Sequence, residues 1–558
     1  MTDKTTLPES PLPAPSRRPR ARFELKQDKR SNRVLSGIAA FLASVAAVLA
    51  LALACVSLAD AQQQSNSELP DIGNPAGAVI TESDEYRLGA QIVQSLRDQK
   101  AILEDPEVTE YLQTLGNRLA AQAPDGERHF TFFAVREGTI NAFALPGGFI
   151  GVNYGTVLAS RNESELASVI GHEIAHVTQR HIARTIRAQS QQSIAQTAAI
   201  LAAVLIGAMA GGGGAMEGAI AIAQGAAAQQ QVNFTRANEY EADRVGIGFV
   251  AGAGFDPGAM GSFFEQMSRR EGLAGQYVPE MIQTHPVNAN RIAEARARAA
   301  QYDHPKAIES STYECIRERL RVITAEKDSD IAARYAKETQ AVKGSLGQRY
   351  GTALALMASG KNQEAAEILH DLVEKHENLT LLYSAQAQAE VDGGMQNDGI
   401  ATYQRAVLLF PRNVPLTVRY AQALMDNGRA KEAHALLLDV FNNVQPTPDQ
   451  IQLTALAASA AGDTGDAYFY MSEYHISTGN LQLAVQQLQL ALAAPNLTSV
   501  QRQRFQARQD EIRDYLSSVR VRKVNRQPLM GAPNTEMAPS VAERQRAFGP
   551  VGDLSRSP

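Results

Sequence analysis

The sequence predicts a mainly α-helical protein with one small β-sheet in its first half and a stack of paired helices in its second. Apolar residues recur at helical spacing from residue 82 onward. Two short runs dense in aromatic and apolar residues, 129–135 and 140–152, read as strands, and glycine returns every 34 residues at Gly360, Gly394, Gly428 and Gly462. The 558 residues leave room for about three or four domains, and 44% apolar composition is ordinary for a globular chain.

Residues 1–33 are polar, basic and rich in Pro and Ser, and are expected to be disordered. Residues 34–59 carry no charge and lead into Ala59-Asp60-Ala61, with small residues at both positions a signal peptidase reads. The expected reading is a signal peptide over 1–61 with an extended basic n-region. The competing reading is an uncleaved anchor, because this uncharged run exceeds the roughly 20 residues a span needs. In both, the basic flank stays in the cytoplasm and the rest is exported. The cysteines are Cys55 and Cys315, and Cys55 falls in the apolar run, so the processed chain has one thiol and no internal disulfide. Residues 1–61 hold nine Lys/Arg against five Asp/Glu, so of the formal charge of −6 the remainder carries near −10. That balance excludes bulk basicity for nucleic acid.

Over 82–122, Leu88, Ile92, Val93, Leu96, Ile102 and Leu103, then Val108, Tyr111, Leu112, Leu115 and Leu119, mark two core helices, the second opened by Asp105-Pro106. The strand-like run 140–152 is broken at Pro146, Gly147 and Gly148.

Residues 169–181, VIGHEIAHVTQRH, hold His172, Glu173 and His176 in an H-E-x-x-H array. On a helix, residues four apart share a face, so both imidazoles can bind one metal ion while Glu173 reaches a water beside it. Asn162 or Ser164 suits the N-cap, and small Gly171 and Ala175 suggest close packing. A third ligand within the same segment, as in metzincins, fails because Gln179 and Ile182 occupy the needed offsets. The remaining tetrahedral solution is a carboxylate from a later helix, which NEYEADRVG at 238–246 supplies. If Glu239 binds the metal, Asp243 one turn on is placed to accept a hydrogen bond from a ligating imidazole.

HEIAH, then EYEAD, then Thr284-His285-Pro286 and Arg291-Ile292 resemble the gluzincin metallopeptidases that include the CAAX prenyl proteases and HtpX-type membrane proteases, in particular their periplasmic branch with a C-terminal tetratricopeptide array. The resemblance runs from about residue 69 to 300. It implies His172, His176 and Glu239 as ligands of one Zn2+ per chain, Glu173 as base and Asp243 as the residue behind a ligand. It also implies that Asn141 and Ala142 lie on a sheet edge where an extended substrate pairs. His285 is brought to the site with three roles open: fourth ligand that silences the enzyme, oxyanion donor, or cap of the next helix. Arg291 assists His285 or pairs with an acid on its own helix. His129, His181 and His304 are expected at the surface.

Residues 194–231 are apolar around four consecutive glycines and read as a helical hairpin over the cleft, as a peripheral membrane contact, or as a plain core hairpin; its first apolar run is too short for a span. In the second half, small residues follow five after each repeating glycine, at Ala365, Gly399, Ala433 and Ala467. Thirty-four residues is the tetratricopeptide length, with glycine in the turn and a small residue where the helices cross. Such an array binds protein segments.

The expected organisation is a zincin-like metalloprotease domain over 62–305, a helical connector over 306–345, a tetratricopeptide α-solenoid over 346–520 and a disordered tail over 521–558. The expected function is a periplasmic zinc metalloendopeptidase. The resemblance implies outer-membrane β-barrel proteins as substrates and the barrel-assembly machinery as partner. The rival is a chaperone or assembly adaptor whose metal site is silenced.

Overall fold

Residues 82–123, 129–188, 226–273, 281, 284–302, 310–325, 330–331, 333–335 and 344–525 are described by a computed structural model. The expected signal segment, residues 194–225 of the apolar run, His304 and the tail beyond residue 525 lie outside them.

Helix α1 (Glu82–Asp98) leads to α2 (Pro106–Ala120), which starts where Asp105 accepts the Val108 N–H at 3.1 Å and Pro106 supplies a helical φ without needing a donor partner. Strands β1 (Thr131–Val135), β2 (Ala142–Leu145) and β3 (Phe149–Asn153) form one sheet in the order β1-β3-β2. β1 runs parallel to β3, and β2 folds back antiparallel through Gly147 and Gly148, whose φ of 79° and 85° favour glycine. Both faces of the sheet are covered. Phe132, Ala134, Ile150 and Val152 join the core shared with α2, whereas Phe133, Val135, Phe143 and Phe149 join a second cluster with α1 residues Ile92, Val93 and Leu96. Double coverage is why these strands read as apolar runs and not as alternation.

Beyond α3 (Tyr154–Ala159) comes α4 (Glu163–Thr178), capped by Asn162, whose side chain accepts the Glu165 N–H at 2.9 Å. Every residue from Ser164 to Ala175 is buried, because β2, α2, α6 (Ala226–Gly252) and α7 (Ala259–Leu273) pack round it. Helix α5 (His181–Ala188) precedes α6, and α8 (Ala289–Ala299), capped by Asn288, closes against α6 and α7. The first residues of α6, 226–231, are the end of the apolar run.

Helix α9 (Ser311–Ile323) packs on both α2 and α10 (Leu346–Ala358). Paired helices follow: α11 (Asn362–Lys375), α12 (Thr380–Asp392), α13 (Gln396–Leu409), α14 (Val414–Asp426), α15 (Ala430–Phe441), α16 (Pro448–Ala460), α17 (Thr464–Ser477) and α18 (Leu481–Ala493). The four repeating glycines turn each pair at φ between 71° and 83°, and Ala365, Gly399 and Ala433 are buried where helices cross. Helix α17 packs against both α16 and α18, so one helix serves two successive pairs. The last helix, α19 (Ser499–Asn525), runs five residues into the stretch expected to be disordered from 521.

Candidate active site

Helical periodicity puts His172 and His176 on the same side of α4, with their Nε2 atoms 3.0 Å apart. Glu239 comes from α6, which lies against α4 at a glycine crossing: a Cβ on Gly246 would sit 3.0 Å from Gly171 O and from His172 N. That approach brings Glu239 Oε2 within 3.4 Å of His172 Nε2 and Oε1 within 3.4 Å of His176 Nε2. Asp243, one turn on, lies 3.0 Å from His172 Nδ1 through Oδ1.

His285 reaches the same point from the loop before α8. Its Nδ1 is 3.1 Å from both Glu239 oxygens and 3.4 Å from His172 Nε2, and its Nε2 is 3.5 Å from Glu173 Oε1. It does not cap α8, since Asn288 does that by accepting the Arg291 N–H. Arg291, which was expected to serve His285 or an acid on its own helix, instead forms a fork with Asp243 at 2.7 and 2.8 Å, lies 3.1 Å from Glu239 through Nη1 and donates to Pro286 O. The i, i+4 rule points it along α8, but its buried position makes the interhelical acids the nearer partners.

Glu173 is buried, takes a backbone hydrogen bond from Ala144 on β2 and leaves Oε1 without a hydrogen-bond partner among the described residues. β2 is an edge strand of the sheet. Asn141 is committed inward, its N–H donating to Thr156 Oγ1 and its O accepting from Asn153 N and Thr156 Oγ1, so it offers no free backbone to a substrate. By the alternation of antiparallel pairing, Ala142 and Ala144 turn their backbone groups away from β3, and the Ala144 N–H is already taken by Glu173. The Asn141 side chain instead accepts from Thr284 Oγ1 at 3.4 Å, tying the edge to the His285 loop.

Of the other histidines, His129 is exposed. His181 corrects the expectation: it is 3% exposed, with Nδ1 2.9 Å from His176 Nδ1. Chain position hid it, because it stands beyond the end of α4; Arg180 at φ 53° swings the chain back so that the side chain returns to the site.

The electrostatics follow from burial and partners. Burial disfavours the His172 imidazolium, but Asp243 and Glu239 outweigh it and raise its pKa to about 10. Burial also opposes the Glu239 charge, yet His285 and His172 hold its carboxyl well below the usual range. Burial pushes the Glu173 carboxyl up and His176 down.

A family model described as peptidase family M48 matches residues 106–299. Beta-barrel assembly-enhancing proteases of Escherichia coli K12 and Yersinia pestis are 31% and 32% identical, over 84% and 80% of this chain and 96% and 91% of their own lengths. The chain belongs to peptidase family M48. Metalloprotease LoiP of E. coli is also similar, at 27% identity over 38% of this chain and 82% of that protein.

An M48 peptidase is a metalloendopeptidase, and the donor set here fits a metal ion. Two ligands with bonds of about 2.0–2.1 Å to one tetrahedral ion stand roughly 3.3 Å apart. His172 Nε2, His176 Nε2 and Glu239 are spaced at 3.0 and 3.4 Å, and with His285 the four donors lie within 4.8 Å of one another. Among the described residues no helix is long and apolar enough to cross a membrane.

Proposed function

We propose that this M48 peptidase is a zinc-dependent endopeptidase of the periplasm that cleaves misassembled proteins during outer-membrane β-barrel assembly. The observation that carries the chemistry is the spacing of His172, His176 and Glu239, all at tetrahedral separations, with the Glu173 carboxylate beside them. Two imidazoles and one carboxylate are the donor set of hydrolytic zinc sites. The compartment and substrate class rest on the named relatives and on the signal-like residues 34–61.

Zinc bound here would supply a Lewis acid that polarises the scissile carbonyl and acidifies water. The residues of the chain do the rest. An extended substrate adds to the β2 edge at the Ala142 backbone and the Ala144 carbonyl, so that the scissile carbonyl lies beside Glu173. Glu173 accepts the proton of the attacking water and passes it to the leaving amine. Asp243 holds His172 from behind, and Arg291 holds Asp243.

The position of His285 favours a closed resting state. Its Nδ1 stands at ligand spacing from Glu239 and His172, so it fills the fourth place that a catalytic site keeps for water. The oxyanion role would need it withdrawn from Glu239.

Casein hydrolysis by the full chain, with metal content measured in parallel, tests the assignment. Glu173→Gln should keep its metal and lose roughly 10²–10⁴ in rate. His285→Ala should cleave faster than the wild type. If Glu173→Gln still supports barrel assembly in cells as well as the wild type, the adaptor reading replaces proteolysis; slower cleavage by His285→Ala would assign that side chain to the oxyanion.

A further inference from the structure

We infer that His181 is a positioning residue of the metal centre, setting the tautomer of His176 through a neutral imidazole backed by Glu241. The inference rests on the reading above that His176 is a ligand. A ligating His176 must turn an unprotonated Nε2 to the ion, since that is the nitrogen facing His172 and Glu239. Its remaining proton then sits on Nδ1 and needs an acceptor. The atom facing Nδ1 is His181 Nδ1, 2.9 Å away.

Two imidazole nitrogens at that distance make one hydrogen bond only if one donates and the other accepts. His181 Nδ1 must therefore be the acceptor, which places its own proton on Nε2. That nitrogen lies 3.2 Å from Glu241 Oε2, an acceptor. Glu241 Oε2 also accepts from Arg184 Nη2 at 2.7 Å, and Arg184 Nη2 donates to Asn238 Oδ1, next to the ligand Glu239, at 2.7 Å. The proton order is thus determined from Arg184 through Glu241 and His181 to His176.

The two ligating imidazoles are consequently backed differently. His172 has a carboxylate directly behind it, Asp243. His176 reaches its carboxylate through a second ring, so the same orienting function is performed with one less negative charge against the ligands. The chain also ties α5, which carries His181 and Arg184, to Glu241 and Asn238 on α6, the helix of the third ligand.

The experiment is zinc and cobalt(II) affinity of the full chain by competition with a chromophoric chelator, with thermal melting of the metal-free protein alongside. His181→Phe keeps the ring shape and removes the acceptor; affinity should fall roughly 10–100-fold. His181→Asn restores an acceptor near the Nδ1 position, and should recover most of that loss. Glu241→Ala, at a partly exposed position, should fall between the two, and it decides the matter if His181→Phe melts too low to assay. The cobalt(II) absorption bands should shift in His181→Phe and return in His181→Asn. Affinities of His181→Phe and Glu241→Ala within twofold of the wild type, or no recovery in His181→Asn, would overturn the inference while leaving the metalloprotease reading intact. A wild-type chain that binds no ion would overturn both.

Discussion

At the scale of single residues, Arg291 is the side chain on which the charge balance of the centre turns. It is the largest fully buried side chain among the described residues, and its fork spans Asp243 while Nη1 reaches Glu239. Its guanidinium cannot lose its proton at ordinary pH, so two buried carboxylates keep a permanent cation beside them. Arg291→Met removes that cation and leaves Asp243 with His172 as its charged partner, so it should cost about 3 kcal/mol, the low end for a broken buried pair, in denaturant unfolding of the metal-free protein. Arg291→Lys restores a charge without the fork and should recover part of the loss. A difference under about 1 kcal/mol for Arg291→Met would show that water, not Arg291, neutralises the pair. The site was unevenly legible at this scale. His172 and His176 follow from helical periodicity within one segment, whereas the partners of Arg291 and the burial of His181 depend on how α5, α6 and α8 pack, which no local pattern encodes.

At the scale of elements, ligand convergence is set by how closely α4 and α6 approach. Gly171 and Gly246 meet at the crossing, and a methyl group at 246 would press on backbone atoms, Gly171 O and His172 N, that cannot rotate away. Gly246→Ala should therefore push the helices apart and carry Glu239, two turns earlier on α6, away from the imidazoles. Metal affinity should drop at least tenfold, by analogy with the loss of an orienting partner. Gly428→Ala is the control: nothing lies within 4 Å of its added methyl, but φ is 71°, so it should cost about 1 kcal/mol of stability and leave metal binding unchanged. If both variants bind metal like the wild type, the crossing does not position the site. The helices of the first half were readable because their periods are long and starts such as Asp105 and Asn162 carry caps, whereas the cap of α8 is Asn288 and not His285. The 34-residue spacing was readable because each turn needs a left-handed residue. The pairing order of the strands was not, since the sheet is buried on both faces and its runs carry no alternation.

At the scale of the whole molecule, the repeat array is joined to the peptidase half by α9, whose Tyr313, Ile316 and Leu320 enter the peptidase core and whose Cys315 and Val322 enter the array core, and by a buried cluster of charges. Asp105 and Glu107, at the start of α2, are buried against Arg319 from α9 and Arg419 from α14, with Ser384 of α12 donating to Glu107. Part of the array surface expected to bind other proteins is thus turned to the chain's own catalytic half. Two clefts, of about 540 and 570 Å3, share Glu107 in their lining. Burial would raise the Glu107 carboxyl, but Arg319 and Arg419 outweigh it and hold it well below the ordinary value of 4.5. A depressed carboxyl contributes its stability in full above the unfolded-state value and loses it as pH falls below. The melting temperature of the wild type should therefore be flat in this contribution at neutral pH and decline below about pH 4.5. Glu107→Gln should lose about 3 kcal/mol at pH 7, because two guanidinium groups then share Asp105 alone, and its acid decline should be shallower. Calorimetry should also show one transition for the wild type and two for the variant, as the array melts apart from the peptidase half. A variant that melts in one step, with the same acid slope as the wild type, would mean that the halves are held by contacts other than this cluster.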